Sequence, residues 1–176
     1  MTNDMFASVS FQNKIIEELH RYFTEVKKEW SISSNATDAF SVNGIYAPRL
    51  DIAVGPFNVE EGNRLSEIAT VFSDKAPLRM KNLVKSECLV KNTNPRCTLA
   101  IEVAFSGSEK HYLGDITNAS MMGLYGFVIT CDNNSNDIKR IFEYTKTVKR
   151  VGKAPDDLFS NVCVLSDDEF LELLLP

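Results

Sequence analysis

The 176-residue chain has no C-x-x-C pair among its four cysteines, and its only histidines, His20 and His111, lie far apart. That spacing argues against a zinc site. No apolar run approaches the ~20 residues a bilayer span needs. The N-terminal Met1-Thr-Asn-Asp-Met-Phe carries neither a basic run nor a long apolar stretch, so no secretory leader is expected. P-loop, G-x-G-x-x-G and Ser-His-Asp patterns are absent, which leaves nucleotide binding and acyl transfer without a motif. Repeats, low-complexity segments and linkers are missing too, so the whole span 1–176 reads as one domain. Cys97, Cys131 and Cys163 sit in or beside apolar strand-like runs, where buried free thiols are common. Reduced thiols and a cytoplasmic location are therefore expected.

Hydrophobic periodicity orders the rest. Phe11, Ile15, Ile16, Leu19, Tyr22, Phe23 and Val26 recur at helical spacing and predict an amphipathic helix over about 10–29. A turn at Asn35–Asp38 and short strands at 39–46 and 50–54 follow, the second stopped by Gly55-Pro56. Leu65, Ile68, Ala69 and Phe72 predict a helix over 63–73, whereas 75–95 is basic and carries no assignable pattern. The run Cys97–Phe105 is almost wholly apolar and reads as a strand covered on both faces. A small-residue helix (111–124), a strand (126–131), a helix (136–149), a strand (161–165) and a short acidic helix (167–173) complete the chain. Alternation of strand and helix from residue 97 implies βαβ crossovers. The fold class is α/β: a mixed central sheet, antiparallel at its start, with helices on both faces.

Two acids interrupt this apolar pattern. Asp51 lies within Arg49-Leu-Asp-Ile-Ala-Val and Glu102 within Leu-Ala-Ile-Glu-Val-Ala-Phe. A carboxylate in a buried strand is costly unless it is paired, hydrogen-bonded or bound to metal. An internal ion pair is the structural explanation for either acid alone. Two such acids on neighbouring strands can instead hold a hard divalent cation that keeps several waters, as Mg²⁺ does.

Asp51 on one strand and Glu102 on the next, followed by Phe105-Ser-Gly-Ser-Glu-Lys-His, a small-residue helix and the strand Gly126-Phe-Val-Ile, resemble the restriction-endonuclease-like, or PD-(D/E)XK, nuclease superfamily. The likeness covers about residues 10–131 and includes the order helix, hairpin, strand, helix, strand. It implies a restriction-endonuclease-like core and a metal-dependent endonuclease that binds DNA and hydrolyses phosphodiester bonds with Mg²⁺, Mn²⁺ being the alternative. Asp51 and Glu102 match the two metal-binding acids, with Leu50 where the pattern has proline. The motif lysine falls at Ala104, which can neither activate a water nor offset transition-state charge. Lys110, just past the strand, is the candidate replacement, the alternative being an exposed loop lysine.

Many members also use a glutamate of the first helix. Glu18 lies about a quarter-turn from the centre of the apolar face and Glu17 nearly opposite it, so Glu18 is the candidate; otherwise it is a solvated flank. His111 and Asp115 share a helix face at i, i+4 and read better as a helix-start pair than as metal ligands. Asn118 on a neighbouring face can hydrogen-bond a site group. Nucleases of this kind often act as dimers because two strands must be cut, so the resemblance allows a homodimer. A catalytically inactive nuclease-fold protein, retained for nucleic-acid binding or assembly, is the reading that Ala104 favours.

Net charge is −5, which on its own speaks weakly against nucleic acid. Its distribution speaks otherwise. Lys75–Arg96 holds six basic residues and the single acid Glu87, and Lys139–Lys153 holds six and the single acid Glu143. Clustering of this kind is what phosphate-backbone contacts need.

Overall fold

The computed structural model describes residues 3–32, 48–59, 63–131 and 135–176. Helix α1 spans Asn3–Leu19 and strand β1 Val26–Ser31. The helix expected over 10–29 therefore starts earlier and ends ten residues sooner. Its last turn tightens, with the Tyr22 and Phe23 amides both donating to the Leu19 carbonyl. Phe23 still packs into the same core as Ile15 and Leu19. Apolar spacing thus continues past the helix end, while pairing with the next strand draws Val26 onward into the sheet. The strand expected at 39–46 and the turn at 35–38 lie outside the described residues.

Strand β2 (Arg49–Val54) pairs antiparallel with β1, and β3 (Cys97–Ala104) pairs antiparallel with β2. Between them, α2 (Leu65–Lys75) ends at extended Ala76 before Pro77, which disfavours helix in the residue ahead of it and leads α3 (Leu78–Ser86). Helix α3 fills the stretch that carried no readable pattern; only Met80 and Val84 of it are buried, too few to mark a period. Helix α4 (Glu109–Met122) crosses to β4 (Gly123–Thr130), and α5 (Ser135–Arg150) crosses to β5 (Val162–Ser166), both strands parallel to their predecessors. Helix α6 (Asp167–Leu173) closes the chain behind a Ser166–Glu169 capping box.

The sheet order is β1-β2-β3-β4-β5, the mixed α/β arrangement expected. One face packs α1, α2, α3 and α6 through Ile15, Phe72, Met80 and Phe170; the other packs α4 and α5 through Tyr112, Ile116 and Ile138. Alternation along β3 sends Leu99, Ile101 and Val103 to the first face and Ala100 and Ala104 to the second. Glu102 therefore projects beneath α4. Small residues let that helix come close: a Cβ on Gly126 would sit 2.8 Å from the Ala119 carbonyl oxygen.

Candidate functional site

The site begins where the sheet opens. Strands β2 and β3 stay in register from Val54↔Leu99 to Ile52↔Ile101, and the pairing goes no further. Across β2, the β1 register passes over Glu29, which adopts a left-handed backbone at φ +50. Backbone donors freed at this splay must find other partners. Two carboxylates supply them. The Asp51 amide donates to Glu102 Oε2 at 3.1 Å, and the Val103 amide donates to Asp51 Oδ2 at 2.7 Å. Each acid thus closes the gap left by the ladder, and the reciprocal bonds hold the two side chains together.

Only 4 % of Glu102 is exposed, and its Oε1 has no hydrogen-bond partner. An orphaned buried oxygen of this kind calls for an explanation. Burial holds the Glu102 carboxyl well above the usual range, and the charges of Asp51 and Asp115 push the same way. The Asp51 amide and the Asn118 side chain pull in the opposite direction, though Asn118 leaves Oε1 unsatisfied. Burial also raises Asp51, against the bond from Val103 and the more distant Arg49 and Lys28. Asp115, on α4, is pushed up to about 7 by burial and then by Asp51.

These groups line a polar cavity of about 370 Å³, bounded by Glu29, Arg49, Asp51, Glu102, Asp115 and Asn118 and by the chain at Ser106-Gly107. Arg49 is engaged with Glu29 at 3.0 Å on the rim. No Lys or Arg forms an ion pair with Asp51, Glu102 or Asp115 among the described residues.

Asp51 and Glu102 are thus side by side, as their neighbouring strands suggested. Lys110 is exposed in the first turn of α4 and lines a different groove, between α4 and α5. Glu18 flanks the buried face of α1 and pairs with Arg21 at 2.7 Å; it does not line the cavity. The polar α1 side chain that turns inward is Gln12, 4 % exposed, with Oε1 unpartnered. His111 serves the helix start, its Nδ1 lying 2.9 Å from Ser108 Oγ. Asp115, read as its partner there, instead joins the carboxylates. The shared face of His111 and Asp115, with Asn118 on a neighbouring one, was the signal for this, and it does not say which way the face turns.

Among the described residues no three His, Cys, Asp or Glu side chains are grouped to hold a metal ion. The carboxylates of Asp51 and Glu102 nonetheless fit a hard cation that retains waters, because the donors are oxygens and Glu102 Oε1 is free. All four cysteines are free thiols, Cys88 exposed and Cys97 buried. No helix among the described residues is long and apolar enough to cross a membrane. No family model, curated protein or solved structure matches the chain.

Proposed function

We propose that the chain is a DNA-binding, Mg²⁺-dependent phosphodiesterase of the restriction-endonuclease-like kind, acting in the reducing cytoplasm that four free thiols suit. The observation that carries this reading is the reciprocal bonding of Asp51 and Glu102 at the splay of β2 and β3, with a buried Glu102 oxygen left unpartnered. Asp51 and Glu102 would hold the cation, which when bound would lower the pKa of a coordinated water and neutralise charge on the phosphoryl oxygen. Asn118 would orient the Glu102 carboxylate. Asp115, which lines the same cavity, would take a proton from the attacking water, the role for which Ala104 offers no group. Arg49 on the rim would steady a backbone phosphate.

The test is cleavage of plasmid, linear and single-stranded DNA with Mg²⁺ or Mn²⁺, comparing wild type with Asp51→Ala and Glu102→Ala. Loss of cleavage in both variants is expected; activity that survives both rules out this metal site. A second reading, an inactive nuclease fold that only binds, is favoured by one observation: among the described residues no lysine lines the cavity. Titration calorimetry separates the two, because an inactive fold should show no Mg²⁺ or Mn²⁺ binding that depends on Asp51 and Glu102.

A further inference from the structure

The sheet ends in two edges, β1 and β5, and the sequence treats them differently. Strand β1 carries Lys27, Lys28 and Glu29, the last in a left-handed backbone. Charges and a local distortion keep an edge from pairing with another chain. Strand β5, Val162-Cys-Val-Leu-Ser166, has no charge, no proline and no left-handed residue. The Gly126 amide donates to the Asn161 carbonyl, which fixes the direction of the backbone groups. Cys163 and Leu165 therefore bond toward β4, while Val162, Val164 and Ser166 present their groups outward. Local contacts use some of these. The Val90 amide donates to the Ser160 carbonyl at 3.0 Å, the Val162 amide to the Phe159 carbonyl at 3.2 Å, and the Ser166 amide to Glu169 Oε2 at 2.7 Å. That leaves the Val162 carbonyl and both groups of Val164 without a backbone partner among the described residues. The Val164 amide has only the Cys163 sulfur beside it, a weak acceptor.

A cavity of about 370 Å³ lies against Val162, Cys163 and Val164. Successive strand side chains point to opposite faces, so a cavity that touches all three straddles the edge itself. Its two walls differ. Val164 packs with Phe142 of α5, on the face where Lys139, Lys146 and Lys149 also line the cavity. Cys163 packs with Leu89 on the opposite face, beside Glu87. Lys146 is engaged by Glu143 at 2.7 Å, whereas Lys139 and Lys149 form no ion pair among the described residues.

We infer that the β5 edge takes an added strand: an extended segment of a partner protein whose acidic side chains face α5 and alternate with apolar ones. Open main-chain donors and acceptors at Val162 and Val164 are met by another extended backbone, which a nucleic acid does not offer. Lys139 and Lys149 set the charge of the residues above α5. On the other face, Leu89 favours apolar side chains and Glu87 opposes a second row of acids. A second copy of the chain fits less well. Antiparallel pairing of β5 with its own copy would lay the two α5 helices on one face and set their lysines against each other. The five residues of β5 extend for about 16 Å, the reach of a comparably short segment. The inference does not rest on the phosphodiesterase reading, because β5 lies two strands away from β3.

The test is fluorescence anisotropy on the full chain at low salt, with a labelled peptide of alternating Glu and Val. Its Lys–Val counterpart, poly-glutamate and oligo-dT are the comparison probes. The wild-type protein should bind the Glu–Val peptide in preference to all three. Lys139→Glu with Lys149→Glu should weaken that binding on the order of tenfold and turn the preference toward the Lys–Val peptide, an inversion that loss of the fold does not produce. Val164→Pro removes the outward amide and spares the ladder to β4. It should weaken Glu–Val binding on the order of tenfold and leave the charge preference as it was. If the proline variant does not fold, a Glu–Val peptide methylated on its backbone nitrogens tests the same hydrogen bonds and should not bind. Absent binding of the Glu–Val peptide, equal or tighter binding of poly-glutamate or oligo-dT, or indifference to these changes each overturns the inference. So does a dimer in sedimentation velocity that Val164→Pro dissolves, since the edge would then belong to a second copy.

Discussion

Asp115→Asn should stabilise the metal-free protein above neutral pH, although it removes a charged residue from a partly open position. The Asp115 carboxyl has its pKa raised from 3.8 to about 7, first by burial and then by Asp51. A raised acid works against folding once it must ionise. Below about pH 3.8 both the folded and the unfolded chain carry the proton, so aspartic acid and asparagine behave alike. Between 3.8 and about 7 only the folded chain retains it, so wild-type stability falls as pH rises. Above about 7 the penalty is constant. At about 1.4 kcal/mol per tenfold, the full difference would be about 4 kcal/mol. Asp115 keeps some contact with solvent, which screens the charge, so a gain of about 1–2 kcal/mol is the realistic figure. Urea unfolding with EDTA present, near pH 4 and near pH 8, measures it. The gap between variant and wild type should be small at the lower pH and open at the higher. A variant equally or less stable than wild type near pH 8 would refute the claim that burial and the charge of Asp51 disfavour the Asp115 carboxylate in the folded state.

Three further outcomes follow from the same geometry. Glu102→Gln should leave the urea midpoint close to wild type, because Gln resembles the protonated acid that burial favours and can still accept the Asp51 amide; Glu102→Ala strands that amide and should cost about 1–3 kcal/mol. Equal losses in the two variants would contradict the hydrogen bond's part in holding the splay. Gly126→Ala should destabilise by about 1–3 kcal/mol, since its Cβ would sit 2.8 Å from the Ala119 oxygen; an unchanged midpoint would mean that α4 can lift from the sheet freely. With a thiol reagent the native protein should label at exposed Cys88 first, while Cys97 and Cys163, the latter's pKa pushed up to about 12 by burial, label only on unfolding.

Much of this was legible in the residues. Long apolar runs gave β3 and β4 because both faces of those strands are covered, and the strand–helix alternation gave the parallel half of the sheet. Asp51 and Glu102 were found because an acid in such a run conflicts with its surroundings. What stayed hidden depends on tertiary geometry. Phe23 packs like a helical residue although α1 has ended, so periodicity overran the boundary. Met80 and Val84 are too few to announce α3. The inward turn of Asp115 depends on the rotation of α4 against the sheet, which the close approach at Gly126 sets. The opening of the β2–β3 ladder is a matter of register, and no residue type encodes it directly.

The opening also bears on the two explanations of the acids, because each accepts a backbone amide at the splay. Had Asp51 and Glu102 been members of internal ion pairs, each would face an arginine or lysine, since a buried charge needs a partner. Instead they face each other and Asp115, and the nearby Arg49 is held outside by Glu29 at 3.0 Å. Burial raises all three acids, Asp51 and Asp115 add to it at Glu102, and Asp51 adds to it at Asp115, so their ionisation works against the fold. Arrangements that sacrifice stability in this way are characteristic of sites shaped by a ligand of opposite charge. Under the proposed function that ligand is a hard cation, held by the oxygens of Asp51 and Glu102.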